Sequence, residues 1–351
     1  MTESISRRTA LTGVTGIAVA AAAGALLVPG VARATTIRKY PFPASSPLTV
    51  LVTGDAGTGT AAQLAVTKAA RRLFAAERLS LVLGLGDNIY ENGPETPDDD
   101  EFADKFEAPN TGLDVPWLMA LGNHDNSLLI PGDGSWLARG NNEVGYHERS
   151  PRWWMPSRYY SVALPERNPV AEFFVLDLNP LCAYLPQLFY WAPDGPYMRQ
   201  QREWLRQRLA ASKAPWKFVC NHFPYVNNGK HGDAGSYDGV PSFLPHANGA
   251  YVKELFDDYV LGRAQFTLSG HDHSLQVLRP TTATKGTIPL VSGAAGKTSS
   301  HGGGDNPAYF EQFDTLGIMV LDIAQTSVGV RVYTIDPATA VATLAHQRTL
   351  A

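Results

Sequence analysis

Apolar residues recur along the chain in runs that are separated by more polar stretches. Eight of these runs are almost continuously hydrophobic, as in strands that are covered on both faces. Helical patterns lie between several of them, at 61–77, 200–211 and 251–260, and this alternation predicts an α/β fold. The segment 316–348 carries shorter β-like stretches and predicts an antiparallel edge. The predicted strands are 48–53, 79–85, 115–121, 171–178, 216–220, 264–269, 288–292 and 316–323.

Polar residues of one chemical kind follow five of the predicted strands. Carboxylate, amide and imidazole side chains stand just after the apolar runs, most of them preceded by a glycine that lets the chain turn. Ligands of open α/β sheets bind beyond the carboxyl ends of the strands, so we expect these side chains to converge on one crevice. The clusters are Gly54-Asp55, Gly86-Asp87-Asn88-Ile89-Tyr90, Gly122-Asn123-His124-Asp125, Asn221-His222 and Gly270-His271-Asp272-His273.

The first cluster lies in a glycine-rich loop, VLVTGDAGTGTA at 50–61, which has the outline of a nucleotide-binding loop. A phosphate loop of the GxxxxGK[ST] kind needs a lysine where this chain has Thr60. The glycines at 54, 57 and 59 do not fit the dinucleotide pattern GxGxxG either. A carboxylate at Asp55 repels phosphate and favours a cation, so the loop indicates a metal site.

The donor types indicate two metal ions. Oxygen and imidazole donors without thiolates suit Fe, Mn or Zn. Seven side chains are too many for one catalytic ion with an open position, and they suit two neighbouring ions that share a bridging carboxylate. The candidate ligands are Asp55, Asp87, Tyr90, Asn123, His222, His271 and His273.

Single clusters also have purely structural interpretations. Asp55 could cap the helix that follows it, and Asp87 could belong to a turn. A lone His222 is more often a satisfied core histidine than a ligand. His271 and His273 resist this interpretation because both imidazoles bracket one turn. Five clusters at five strand ends make coincidence a poor explanation, and together they indicate a metal centre.

Five motifs in this order resemble those of the calcineurin-like metallophosphoesterases, and within them those of the purple acid phosphatases. The chain reads GDAG, GDNIY, GNHD, VCNH and GHDH between positions 54 and 273. Tyr90 is similar to the phenolate ligand of ferric iron in purple acid phosphatases, and the small, single-domain mammalian-type branch is the most similar. The resemblance implies two packed mixed β-sheets flanked by helices, an αββα sandwich, for 48–351.

The resemblance also implies a role for each ligand and a reaction. Its implied chemistry is acid phosphatase activity, in which a metal-bound hydroxide hydrolyses a phosphate monoester. Ferric iron would be bound by Asp55, Tyr90 and His273, a second divalent ion (Fe, Zn or Mn) by Asn123, His222 and His271, and Asp87 would bridge the two.

The resemblance further implies contacts with the substrate, with Asn123 touching it from the second metal site. His124, and His231 in the glycine-rich loop NNGKHGD, would stabilise the phosphoryl oxygens or protonate the leaving group. Asn221 stands where the family usually has glycine or histidine, and it would bind phosphate or only close the turn. Asp125 is expected either to orient His124 or to be a solvated loop residue.

Other functions stay open at this point. The same site would serve a phosphodiesterase or nucleotide phosphoesterase, and iron could also support peroxide-driven radical chemistry. An exported metal- or phosphate-binding protein is a further alternative, but a binder needs no open position for a nucleophile. Long loops at 125–157, 179–198 and 223–249 are expected to decide the substrate, because such loops in compact domains tend to be functional.

Composition and charge narrow the possible partners. The chain has 351 residues, 44% of them hydrophobic and 18% charged, as in ordinary globular proteins. Its net charge is −4 and it has no basic run, so nucleic acid is not an expected partner. The expected partner is a small phosphate-ester substrate, which follows from the resemblance. Two cysteines, Cys182 and Cys220, do not form a disulfide scaffold, and Cys220 is expected to be a buried thiol.

The N-terminus has the pattern of an export signal. A twin-arginine start, SRRTAL at 6–11, precedes an apolar Ala/Gly-rich stretch and an A-x-A cleavage site at 32–34. We expect a signal peptide at 1–34, an extended leader at 35–47, and export to the periplasm, cell surface or medium. After cleavage no stable membrane association is expected; the alternative is that the apolar stretch stays as a membrane anchor.

Overall fold

The computed structural model describes residues 37–351, which form one compact unit. The predicted signal peptide at 1–34 therefore lies outside the described residues and stays a prediction. From residue 37 onwards, the predicted leader contains no helix or strand. Within 37–351, no helix combines the length and the apolar character that crossing a bilayer requires.

Fourteen strands and four α-helices make up most of the regular structure of the described residues. The strands are β1 Leu48–Thr53, β2 Leu81–Gly84, β3 Trp117–Met119, β4 Trp153–Trp154, β5 Tyr160–Leu164, β6 Ala171–Val175, β7 Trp216–Cys220, β8 Phe266–Ser269, β9 Leu275–Leu278, β10 Ile288–Ser292, β11 Ala308–Gln312, β12 Leu316–Ala324, β13 Ser327–Ile335 and β14 Ala342–Thr349. The α-helices are α1 Ala61–Leu73, α2 Asn141–Tyr146, α3 Pro196–Ala211 and α4 Ala250–Leu255, with π-helical turns at Ala103–Glu107 and Phe256–Val260. Short 3-10 turns lie at His124–Asn126, Leu137–Gly140, Asn179–Leu181, Phe189–Trp191 and Tyr237–Gly239.

The strands form two mixed sheets of seven strands each, which confirms the predicted fold class. The first sheet has the order β14-β13-β12-β1-β2-β3-β4, parallel from β1 to β4 and antiparallel from β1 through β12 to β14. The second has the order β11-β9-β10-β8-β7-β6-β5, with a parallel centre of β10, β8, β7 and β6. The antiparallel edge predicted for 316–348 is therefore present, as β12 to β14.

Both faces of the central strands are buried, which explains their continuous hydrophobicity. Phe173 in β6 and Phe218 in β7 belong to the core that also contains strands of the first sheet. Their neighbours Phe174 and Val219 belong to a second core together with Leu205 of α3. Because successive side chains of a strand point to opposite faces, a strand between two cores has no polar face to show in the sequence.

Several element boundaries differ from the prediction. The helix predicted at 61–77 ends at Leu73, where the N–H of Phe74 bonds to the Ala70 carbonyl, and the helix predicted at 251–260 is an α-helix that continues as a π-helical turn. The strands β4, β5, β9 and β11 were not predicted. They have two to five residues each, which is too short for a periodic signal to stand out.

A buried ion pair supports the second sheet and gives a stability prediction. Arg158 Nε lies 2.7 Å from Asp177 Oδ2, and both side chains are buried. Because breaking such a pair leaves a buried charge alone, we expect Arg158→Met to lower the free energy of unfolding by about 3–5 kcal/mol in urea denaturation. The control is Arg206→Met, which removes an exposed pair with Glu203 and should leave the free energy of unfolding almost unchanged. Equal losses in the two variants would contradict this account.

Candidate metal centre

The seven predicted ligands meet at one edge of the molecule, where the carboxyl ends of both sheets lie side by side. The first sheet contributes the residues that follow β1, β2 and β3, and the second sheet those that follow β7 and β8. All seven lie in the short turns immediately beyond these strands. The contributions are Asp55, Asp87, Tyr90 and Asn123 from the first sheet, and His222, His271 and His273 from the second.

Three of these side chains form a first cluster. The Tyr90 hydroxyl lies 3.1 Å from Asp55 Oδ1 and 3.2 Å from His273 Nε2. His273 Nε2 is in turn 3.4 Å from Asp55 Oδ1. Three donor atoms of different chemistry thus surround one point. They are the three ligands that the resemblance implies for ferric iron.

Three others form a second cluster. Asn123 Oδ1 lies 2.8 Å from His222 Nε2 and 3.1 Å from His271 Nδ1, and the two ring nitrogens are 3.2 Å apart. The Asn123 amide donates from Nδ2 to the Gly132 carbonyl at 2.8 Å, which turns Oδ1 toward the two histidines. This is the donor set implied for the divalent ion.

Asp87 lies between the clusters. Its carboxylate comes within 3.5 Å of His222, and ligand atoms of Asp55, Asp87 and His222 all lie within 4.8 Å of one another. Burial alone would raise the pKa of Asp87, but His222 and His124 and the hydrogen bond from the His124 N–H outweigh it, so the pKa lies below its usual value. A carboxylate that stays ionised between two donor clusters can bridge two cations.

The atoms that face one another in the second cluster are hydrogen-bond acceptors, so they fit a metal ion better than they fit mutual hydrogen bonds. His222 Nδ1 donates to the Leu85 carbonyl at 2.9 Å, so in the neutral ring Nε2 carries a lone pair. That lone pair faces Asn123 Oδ1, which is also an acceptor. Burial, with the neighbouring His231 and His222, lowers the pKa of His271 well below its usual value, which favours the neutral form of the His271 ring. Three converging lone pairs need a cation.

The first cluster fits a cation for a related reason. Burial, together with Asp55 and Asp87, raises the pKa of Tyr90 well above its usual value in the protein chain alone. A phenol beside two carboxylates becomes a phenolate only if a strong positive charge lies among them. The donor sets of both clusters therefore fit the metal ions that the resemblance implies.

Backbone strain marks the same residues. Asp55, Asp87 and His271 have positive φ angles of 58°, 53° and 66°, which residues with a side chain rarely adopt. Such conformations cost of order 1–3 kcal/mol each and concentrate at functional sites. The strand ends thus hold three candidate ligands in conformations that the rest of the fold must stabilise.

The motif glycines serve close packing as well as turning. Gly86 has a φ of 91° and turns the chain as predicted. Gly122 is needed for space, because a Cβ there would lie 2.1 Å from Asp87 Oδ1, and a Cβ at Gly270 would lie 2.5 Å from Asp55 Oδ2. The prediction that these glycines let the chain turn therefore left out their part in close packing.

A cavity of about 250 Å³ opens on the two clusters. His124 and His231 both line it, as do the candidate ligands Asn123, His271 and His273. His124 Nδ1 lies 2.6 Å from the Glu91 carbonyl oxygen. Sequence analysis therefore placed both histidines in the correct region, and their roles toward a substrate stay predictions.

His231 has a partner that the sequence did not indicate. Its Nδ1 lies 2.7 Å from Asp238 Oδ1, and its ring lies 4.2 Å from that of His271. Burial lowers the pKa of His231, but the hydrogen bond and charge of Asp238, with further help from Asp272, leave the pKa above its usual value. The His231 imidazole is thus disposed to carry a proton at the edge of the cavity.

The structure differs from one of the two roles expected for Asn221 and from both of the roles expected for Asp125. Asn221 is fully buried, does not line the cavity and has its amide Nδ2 3.5 Å from the Leu268 carbonyl, so the geometry does not bring it to a substrate. Asp125 neither orients the His124 ring nor lies in solvent. It is buried and accepts hydrogen bonds from the N–H groups of Asn88 at 2.8 Å and Gly122 at 2.7 Å, which ties the second and third motifs together.

Asp272, the residue between the two histidines of the last motif, has a role that was not predicted from the sequence. It is fully buried and accepts a hydrogen bond from the His231 N–H at 3.1 Å and another from Asn227 Nδ2 at 3.0 Å. It therefore fixes the loop that carries His231 to the turn that carries His271. Its position inside the motif was the only signal in the sequence.

Comparison with known proteins agrees with this geometry. The family described as calcineurin-like phosphoesterase matches residues 48–275. Tartrate-resistant acid phosphatase type 5 of Sus scrofa is 28% identical over 270 residues, which cover 72% of each chain. Purple acid phosphatase 4 of Arabidopsis thaliana is 25% identical over 319 residues, covering 87% of this chain and 85% of the relative. The solved purple acid phosphatase PPD1 from yellow lupin (Lupinus luteus) seeds has a TM-score of 0.58 at 18% identity, covering 88% of this chain and 55% of that one.

The chain belongs to the calcineurin-like phosphoesterase family, and its two seven-stranded sheets are those of the family fold. Within the family its relatives are tartrate-resistant and purple acid phosphatases, which confirms the resemblance drawn from the five motifs. The protein is accordingly a metal-dependent hydrolase of phosphoric esters.

The contact between Gly122 and Asp87 gives a prediction about metal binding. In Gly122→Ala the new Cβ would meet Asp87 Oδ1 at 2.1 Å, so the carboxylate between the clusters must move. We expect the purified variant to lose most of its bound metal, as measured by inductively coupled plasma mass spectrometry. Gly329→Ala is the control, because its Cβ would meet nothing closer than 3.7 Å. Full metal content in Gly122→Ala would show that the position of Asp87 does not govern metal binding.

Proposed function

We propose that the protein is an acid phosphatase that hydrolyses phosphate monoesters at a dinuclear centre of Fe(III) and a divalent ion, either Fe, Zn or Mn. One observation carries the proposal: two clusters of three donor atoms flank a single carboxylate, and one cluster contains a buried phenol. The phenol of Tyr90 is a hard, anionic donor once ionised, which suits a ferric ion. The uncharged donors of the other cluster suit a divalent ion.

Each protein group has a defined task in this proposal. Asp55, Tyr90 and His273 hold the ferric ion, Asn123, His222 and His271 hold the divalent ion, and Asp87 binds both. When bound, the ions supply Lewis-acid stabilisation of the phosphoryl charge and activate water for attack on phosphorus. His124 and His231 face the same cavity from the protein side.

His231 is the better placed of the two histidines to donate a proton. Asp238 accepts from Nδ1 and favours the charged ring, so the proton of an imidazolium is available to a departing alkoxide. His124 is held through its Nδ1 by the Glu91 carbonyl and lies with its ring 4.3 Å from that of Tyr90. We assign His124 to orientation of the phosphoryl group and His231 to the leaving group.

The size of the cavity is our reason for proposing a monoester. A space of about 250 Å³ is smaller than the range of about 300–1,000 Å³ that is usual for ligand pockets. A diester would need room for organic groups on both sides of phosphorus. The substrate class in this proposal is therefore a phosphate monoester. Export of the enzyme is also part of the proposal, and the twin-arginine signal predicted at 1–34 supports it.

The proposal predicts a coloured protein. Oxidised enzyme should absorb broadly in the visible range through charge transfer from the Tyr90 phenolate to Fe(III), and it should hydrolyse aryl phosphates in acid. Tyr90→Phe should fold but lose the band. The matched control is Tyr225→Phe, which removes another buried hydroxyl that donates to a carboxylate, Asp257, outside the two clusters.

Absorption spectra, iron analysis and steady-state rates on the same samples are the measurements. Iron-replete wild-type protein without a visible band would refute the assignment of Tyr90. A band that persists in Tyr90→Phe would do the same. Absence of hydrolysis of every phosphate monoester tested would refute the proposed function itself.

A further inference from the structure

Exposed apolar side chains concentrate in three loops. Twelve large hydrophobic residues are exposed in the described part of the chain, three of them in 129–136, five in 184–190 and one at Phe243. Leu129 is 87% exposed, Tyr184 56% and Phe243 78%. Large apolar side chains scattered singly need no explanation, but nine in three loops mark an interaction surface.

The three loops meet at the mouth of the catalytic cavity. Pro131, Tyr184 and Ala247, one residue from each loop region, line the cavity. The Tyr184 N–H donates to the Asp133 carbonyl at 2.9 Å, and the Ala183 N–H donates to the His246 carbonyl at 2.9 Å. We call the exposed residues beside these joints the apolar rim. It comprises Leu129, Ile130, Tyr184, Leu185 and Phe243.

The rim is joined directly to the candidate metal ligands. Gly132 accepts a hydrogen bond from Asn123 Nδ2 at 2.8 Å, and a Cβ at Gly132 would lie 2.8 Å from His124 Nε2. The loop that carries Leu129 and Ile130 therefore packs against the residues that would hold the phosphoryl group. Pro131 and Gly132 of this loop line the cavity, so a substrate whose phosphate sits at the clusters lies beside this loop.

We propose that the apolar rim binds the alcohol part of the substrate, and that the preferred substrates are phosphate monoesters of long alkyl alcohols. The proposal rests on the proposed function and adds a substrate class to it. A cavity of about 250 Å³ lies below the usual range of about 300–1,000 Å³ for ligand pockets, so a larger alcohol must lie on the rim. Burial of apolar surface there favours apolar alcohols over sugars and other polar ones.

A series of linear alkyl phosphates from ethyl to octyl tests the rim, used below their micelle concentrations. Their alcohols have similar pKa values, so the chemical step stays constant while the apolar area grows. We expect kcat/KM to rise by up to about fourfold per buried methylene and then to level off. The ratio of the octyl to the ethyl value should fall in Tyr184→Ser and in the double variant Leu129→Ser, Ile130→Ser. Val341→Ser, on an exposed apolar residue outside the three loops, should keep the wild-type ratio.

The outcomes separate this inference from the function on which it rests. A flat series on an enzyme that hydrolyses ethyl phosphate would overturn the role of the rim and leave the phosphatase intact. A flat series together with sedimentation of the protein on phosphatidylcholine vesicles would assign the rim to a membrane surface instead and would also overturn it. Failure to hydrolyse any ester would refute the proposed function, and with it the role of the rim in substrate binding.

A different observation concerns the face of the Tyr90 ring. The Lys297 Nζ lies 3.7 Å from the ring centroid and 3.0 Å from Glu91 Oε1. A cation over an aromatic face is attracted by the negative charge of the ring, and a phenolate ring carries far more of that charge. Lys297 lies outside the five sequence motifs.

The geometry points to Lys297 as a positioning residue that tunes the electron-donating strength of Tyr90 toward its metal ion. A positive charge at this distance lowers the energy of the phenolate π electrons. Transfer of an electron to the metal then needs more energy, so the charge-transfer band lies at shorter wavelength. This inference also rests on the proposed function, because it needs a phenolate bound to iron.

Lys297→Met should shift the visible band to longer wavelength by roughly ten to forty nanometres, the size expected for one charge about 4 Å away at an effective dielectric constant of about 20. Lys297→Arg should restore the wild-type band. Lys253→Met is the matched control, because Lys253 also lies over a tyrosine ring, that of Tyr225, beside the carboxylate of Asp257. A band at the wild-type position in Lys297→Met would overturn the role of Lys297, whereas absence of any band in wild-type protein would refute the Tyr90 assignment instead.

Discussion

The mutual repulsion of electron-rich groups at the strand ends is the constraint on which the rest of this structure depends. Asp55 and Asp87 are fully buried next to a phenol and within reach of imidazoles. Removing a carboxylate from water without a counter-charge costs several kcal/mol. Cations bound among these groups offset this free energy by their attraction to the carboxylates. Metal binding therefore contributes to the stability of the fold at this edge as well as to hydrolysis.

The protein holds the repelling groups together through a buried layer of hydrogen bonds beneath them. Burial raises the pKa of Glu143 well above its usual value, with Asp125 adding to the rise, while the pKa of Asp125 is raised to about 6, chiefly by burial. Of the two carboxyl groups Glu143 therefore holds a proton more tightly, and it can share that proton with Asp125. The Asp125 oxygens are then available to the N–H groups of Asn88, Ile89 and Gly122.

The features best predicted from the sequence are those with a recurring pattern: apolar runs, and the polar residues that follow them. Apolar runs located the central strands because both of their faces are buried, and the residues after them located the metal centre because parallel strands end at one edge. The sequence predicted poorly what depends on contacts between distant segments. The carboxyl of Asp238 has no sequence pattern that links it to His231, and the burial of Asn221 and Asp125 follows from packing that only the folded chain supplies.

The side chains at the strand ends are tightly packed, whereas those of the loops are exposed. The residues that would carry out the reaction are therefore separate from those that would select the substrate. Substitution at a strand end, as at Gly122, meets a neighbouring ligand at once, since the donors are packed at contact distance. Leu129 and Phe243 are almost free of neighbours, so substitution there changes the surface without straining the fold. The rigid part fixes where phosphorus must sit, and the exposed part decides what may be attached to it. Such a division lets the range of esters change while the metal centre stays constant, because no element of the apolar rim supplies a metal ligand.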